Sequence, residues 1–197
     1  NLVIREISDD ATPGEKYYEY FIELAARDRE NLLTNEVIKK DIDMDRAFEE
    51  GTRYLFTEKL NLELEKMNGT DHPDGCIRFS DGDTLFMWDN KSKESTYTFP
   101  NSHLRQFKRY IRDADQRVSC FMIIVPSVEE SAAYKAEKLK VESKRDTDVA
   151  LISAEDLKWV AEEWEKRDKQ KSFNLNVFDK TGILTRQKLE RRMKLFL

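Results

Sequence analysis

Four residues between positions 73 and 91 have the types and spacing to do chemistry together: Pro73, Asp74, Asp89 and Lys91. Pro73-Asp74-Gly75 reads as a turn that opens a short apolar strand. A polar turn follows, and Thr84-Leu85-Phe86-Met87-Trp88 reads as a second strand closed by Asp89. If these strands pair as a hairpin, the two aspartates meet at its open end. Side chains alternate along a strand, so Asp89 and Lys91 point to one face and present a carboxylate and an ammonium together. Two carboxylates held close repel unless a cation lies between them, and hard oxygen ligands suit Mg2+. The acid-x-Lys spelling recurs at Glu142-Ser143-Lys144 and Asp156-Leu157-Lys158, but both copies sit in stretches that read as helix, with no Pro-Asp turn before them.

Those residues need a scaffold, and the rest of the chain reads as one. Residues 1–14 read as a linker or lead-in strand ending in the Thr12-Pro13-Gly14 turn, and 15–197 as one domain. The recurrence of Tyr17, Tyr18, Phe21, Leu24 and Ala25 predicts one amphipathic helix from Glu15 to about Arg29. A second helix is expected after Asp43 as N-cap, running through Phe48, Leu55 and Phe56 and carrying Glu49 and Glu50. Leu60, Leu62 and Leu64 alternate with polar residues in a strand-like way.

After Pro100, a helix capped by Asn101 or Ser102 buries Leu104, Phe107, Ile111 and Ala114 and carries the basic patch Arg105, Lys108, Arg109 and Arg112. Phe121–Val125 reads as a central parallel strand, Ser127 with Glu130 as the capping box of a long helix to about Lys144, and Val149–Ile152 as another buried strand. Ser153 starts a helix through Trp159 and Trp164, and a last helix begins near Thr185. Strands alternating with helices give an α/β domain with a mixed central sheet flanked by helices.

The formal net charge of −5 argues against bulk attraction to phosphate as the main device, although basic residues gathered on one face and a bound cation can reverse the sign locally. Cys76 and Cys120 lie in apolar runs and read as buried free thiols of a reducing, cytoplasmic compartment. No apolar run is long enough for a membrane span. His72 reads as a solvent-facing turn residue, and His103 as a helix-face or capping residue. The chain starts at Asn1 without an initiator Met, so a fragment of a longer protein is expected.

The spelling Pro73, Asp74, Asp89, Lys91 is that of the PD-(D/E)xK nucleases. Along nearly its full length the chain resembles the cleavage domain of FokI-like type IIS restriction endonucleases. The resemblance begins at Glu19-Tyr20-Phe21-Ile22-Glu23-Leu24 and continues through Pro73-Asp74-Gly75, Asp89-Asn90-Lys91, Pro100, Arg109-Tyr110-Ile111 and Gly182-Ile183-Leu184-Thr185. It implies a restriction-endonuclease-like fold and Mg2+-dependent hydrolysis of double-stranded DNA without base specificity of its own. It further implies Mg2+ on Asp74, Asp89 and the main-chain carbonyl of Asn90, Lys91 near the attacking water, and Glu50 as a helix-borne acid, with Glu49 equally available. A separate recognition domain and transient pairing of two copies on DNA are expected too.

The chain departs from the family in two places. Met67–His72 replaces a Gly-rich basic loop, and Arg105 stands where close members have an Asp four residues before the Arg at 109, so the reciprocal ion pair across a two-fold axis is lost. The competing readings are a catalytically inactive DNA-binding or interaction module on the same fold and a purely structural α/β domain.

Overall fold

The computed structural model describes residues 2–167 and 170–197; Asn1, the first position of the 1–14 segment, lies outside the described residues, as do Asp168 and Lys169. Five strands form one mixed sheet in the order β1-β2-β3-β4-β5: Gly75–Arg78, Thr84–Asn90, Arg117–Val125, Asp148–Ser153 and Gly182–Ile183. β1 and β2 are the expected antiparallel hairpin, and β2 through β5 run parallel. The apolar run Phe121–Val125 takes the centre of the sheet, buried on both sides as parallel strands with helical cover require.

Helices cover both faces: α1 (Pro13–Glu19), α2 (Phe21–Ala25), α3 (Arg29–Thr34), α4 (Asp43–Tyr54), α5 (Asn101–Asp113), α6 (Ala132–Ser143), α7 (Ala154–Arg167) and α8 (Arg186–Phe196). Alternate residues of β2 feed two separate cores. Phe86 and Trp88 join the layer built with α1 to α4, α7 and α8, whereas Leu85 and Met87 join the layer of α5 and α6. At the end of the same strand, Asp89 therefore faces the α5 layer and Asn90 the α4 layer. Among the described residues no helix is long and apolar enough to cross a membrane. Cys76 and Cys120 are both buried and free.

Several local expectations give way. The single helix over 15–29 is broken into α1 and α2 at Tyr20, whose φ and ψ are −99° and 27°, and it ends where Arg27 adopts a left-handed φ of 54° and Asp28 caps α3 by accepting from Asn31 N–H. α4 starts at Asp43 itself and continues into a π-helical turn over Leu55–Lys59. The 60–64 segment makes only a bridge from Leu64 to Ile77. No side chain caps α5, which follows directly on Pro100. α6 begins at Ala132 without a capping box, since residues 127–129 pair with Tyr97 instead: Tyr97 N–H donates to Ser127 O and Glu129 N–H to Tyr97 O. Ser153 does cap α7, accepting from Asp156 N–H at 3.1 Å.

Candidate active site

The hairpin register sets the site. Gly75 lies opposite Trp88, so Asp74 and Asp89 are neighbours across the strand ends. Gly75 is there because nothing larger fits: a Cβ on it would lie 1.8 Å from Trp88 Cζ2. The indole is wholly buried and stacked on Phe56 with centroids 4.4 Å apart. Asp74 Oδ2 accepts a 2.6 Å hydrogen bond from Asn90 N–H, which locks the turn to the end of β2. Lys91 N–H donates to Ile124 O, extending the β2–β3 pairing one residue beyond the strand, and Lys91 Nζ comes back to 2.6 Å from Asp89 Oδ1.

Asp89 is only 2% exposed, and its Oδ1 sits 2.6 Å from the Lys91 ammonium. Asn90 Oδ1 is buried and unpartnered, while its amide donates to Thr52 Oγ1 of α4 at 2.6 Å. Burial pushes the Asp89 carboxyl up, the charge of Asp74 adds to this, and Lys91 opposes both. Asp74 is also raised by burial, against the pull of Asn90 N–H. Two buried carboxyls thus share one ammonium beside an unpartnered amide oxygen, a set of oxygens that could hold a cation. Among the described residues no three His, Cys, Asp or Glu side chains converge as a metal cluster, so a cation at the Asp pair needs main-chain, amide or water oxygens as well.

An open cavity of about 550 Å3 lies over these groups. The structure brings Glu49, not Glu50, to its wall. Glu50 turns the other way and pairs with Arg46 at 2.8 Å. Burial and the charge of Asp74 raise Glu49 to about 7. His72 also borders the cavity, with Nδ1 2.6 Å from Pro73 O. His103 lies in the wall as well, 3.0 Å through Nδ1 from the Tyr97 hydroxyl, and is not a capping residue.

Arg27 bonds both Asp45 Oδ1 and Ser92 Oγ, at 2.7 and 2.8 Å, and Lys93 N–H donates to Ala25 O, so the chain leaving Lys91 is pinned to the α2–α3 turn. Sequence reasoning passed over Arg27 and Tyr97, and placed His103 on a helix face, where it lies, without connecting it to the cavity. The one available signal was that His103 falls on the same α5 stripe as Phe107 and Ile111.

Of the basic patch, three members already have partners: Lys108 with Glu142 at 3.1 Å, Arg109 with Asp71 at 2.6 Å and Arg112 with Asp113 at 2.8 Å. Arg105 is exposed and has no ion-pair partner among the described residues.

Among solved structures the chain is similar to the restriction endonuclease FokI, with a TM-score of 0.63 and 16% identity over 85% of this chain. It is similar also to FokI bound to DNA, with a TM-score of 0.62 and 17% identity over 85% of this chain. It spans 31% and 30% of those two chains, and at such identity the likeness establishes the fold. No curated protein matches in sequence. The sequence profile of the FokI cleavage domain matches residues 3–185, from the strap before α1 to the cap of α8, and the chain belongs to that family.

Proposed function

We propose that this domain is a Mg2+-dependent endonuclease that hydrolyses phosphodiester bonds of double-stranded DNA without choosing bases itself. The observation that carries the reading is the meeting of Asp74, Asp89 and Lys91 at one strand end, two buried carboxyls sharing one ammonium. Asp74, Asp89 and the main-chain carbonyl of Asn90 would hold the ion. When bound, it would neutralise charge developing on the phosphate and lower the pKa of a nucleophilic water. Lys91 moves from Asp89 to the phosphate or the water and orients it. Glu49, close to neutrality near pH 7, stands ready to take up or return a proton at the rim.

The α5 patch of Arg105, Lys108, Arg109 and Arg112 supplies the approach to the DNA backbone or to a second copy. Exposed ion pairs of this kind are worth no more than about 1 kcal/mol each and are readily exchanged for phosphate. In this reading base recognition is assigned to a separate domain or subunit, and cutting of both strands to two such domains meeting on DNA.

The test is plasmid nicking against a Mg2+ titration by the wild type and Asp89→Ala. The wild type should nick in a Mg2+-dependent way. The variant should keep its circular dichroism and lose at least a thousandfold in rate, because it lacks a seat for the ion. Cleavage by Asp89→Ala at the wild-type rate, or no cleavage by the wild type, would remove the proposal.

A further inference from the structure

We propose that His103 touches the DNA, donating a hydrogen bond from Nε2 to a phosphate oxygen beside Lys91. The inference deepens the nuclease reading and rests on it.

His103 sits on the first turn of α5 and borders the cavity that holds Asp74, Asp89 and Lys91. Its ring is fixed on two sides. It stacks on Tyr97 at 5.7 Å with the planes 14° apart, and lies 5.8 Å from the Phe107 ring. Nδ1 is 3.0 Å from the Tyr97 hydroxyl, and Tyr97 itself is 1% exposed.

Hydrogen-bond counting then assigns the tautomer. A buried phenol must place its proton somewhere, and among the described residues the one acceptor within reach of Tyr97 is His103 Nδ1. Burial and the charge of Asp89 also hold the phenol in its protonated form. An imidazole that accepts at Nδ1 carries its hydrogen on Nε2. Nε2 has no protein partner among the described residues, and the ring borders the cavity.

The local charges fix what this N–H can do. Burial, reinforced by Lys91 and Lys93, depresses His103 to about 4, so at neutral pH the ring carries no charge. It therefore has no surplus proton to give to a leaving oxygen, and it adds a donor without adding a third cation beside two ammonium groups. A fixed neutral donor aimed at a phosphate gains strength as negative charge builds on the oxygens, which is the behaviour that speeds the chemical step more than it tightens binding.

The experiment has two arms. Long-range 1H–15N correlation spectra of the labelled wild type, free of metal at pH 7, should report an unprotonated Nδ1 and a protonated Nε2 on His103. The opposite tautomer or a charged ring would overturn the inference, and this arm involves no cleavage. Single-turnover plasmid nicking with Mg2+ then compares the wild type, His103→Phe and His103→Gln, with duplex affinity measured in Ca2+.

His103→Phe should lower the rate roughly tenfold to a hundredfold while duplex affinity changes less than threefold. His103→Gln, which keeps an N–H donor, should recover most of the rate. A His103→Phe protein that nicks at the wild-type rate overturns the inference and leaves the nuclease reading standing. A wild type that does not nick overturns the nuclease reading itself. Should His103→Phe fail to fold, Tyr97→Phe takes its place: it releases Nδ1, lets the tautomers mix and should slow nicking a few fold, and an unchanged rate would overturn the inference.

Discussion

Gly75→Ala is the most economical perturbation of the site, because it adds one methyl group and touches none of the charged residues. That methyl would lie 1.8 Å from Trp88 Cζ2, 2.1 Å from Cε2 and 2.2 Å from Cη2. Carbon atoms in contact sit near 3.5–4.0 Å, so the two groups must separate by roughly 1.7 Å. Trp88 has little room to give: it is 0% exposed and stacked on Phe56 at 4.4 Å. The displacement passes to the start of β1, and with it to Asp74. A shift of that size breaks the 2.6 Å bond from Asn90 N–H to Asp74 Oδ2 and carries the carboxylate away from Asp89.

Overpacking costs about 1–3 kcal/mol and the lost charge-assisted hydrogen bond about 1.5–3 kcal/mol, so the variant should lose roughly 2.5–6 kcal/mol. Urea denaturation followed by circular dichroism measures this, with cleavage assayed under conditions where the variant is still folded. Trp88→Leu should partly relieve the clash, making the double variant at least about 1 kcal/mol more stable than the sum of the single changes predicts. A Gly75→Ala protein with wild-type stability and wild-type cleavage would refute the reasoning from register to site geometry.

Lys91→Ala should cut turnover by about a hundredfold or more while calorimetry finds Mg2+ affinity kept or raised, since a competing charge beside Asp89 has gone. Glu49→Gln should slow cleavage several fold, whereas Glu50→Gln, whose carboxylate only pairs with Arg46 on the surface, should leave the rate within about twofold. Asp179, beside the starts of β3 and β4, is raised by burial and by its neighbour Asp148, against the hydrogen bond from Ser119 Oγ. A carboxyl whose folded pKa is raised loses stability as pH climbs through and above its unfolded value near 3.8. Asp179→Asn should therefore stabilise the fold by about 1 kcal/mol at pH 7, and the gain should shrink towards pH 4 in paired urea titrations.

What was legible in the sequence was whatever local pattern determines. The hairpin needs only a turn signal and two apolar runs, and once it pairs, Asp74 and Asp89 have nowhere else to be. β3 and β4 announce themselves as continuous apolar segments because helices cover both their sides. Choosing between Glu49 and Glu50 needs the rotation of α4 about its axis. The buried stripe of Met44, Ala47, Phe48, Gly51, Thr52 and Leu55 has the two acids on opposite flanks at nearly equal angles, so only the position of α4 over the sheet decides. The start of α6 depends on pairing between Tyr97 and residues 127–129, a contact that no local spacing encodes. Arg27 adopts its left-handed turn without a glycine or asparagine to mark it, held by bonds to Asp45 and Ser92.

The bond from Asn90 N–H to Asp74 and that from Lys91 N–H to Ile124 O tie the end of β2 into the sheet, so these two amides should exchange with solvent only when the sheet itself comes apart. The segment 66–72 above them is different, tied to α5 by the exposed Arg109–Asp71 pair. Opening there leaves both hydrogen bonds intact. Under the proposed function, a duplex approaching from that side would meet a yielding rim over a hydrogen-bonded floor, and the two acids would keep their spacing while the groove above them adjusts to its guest.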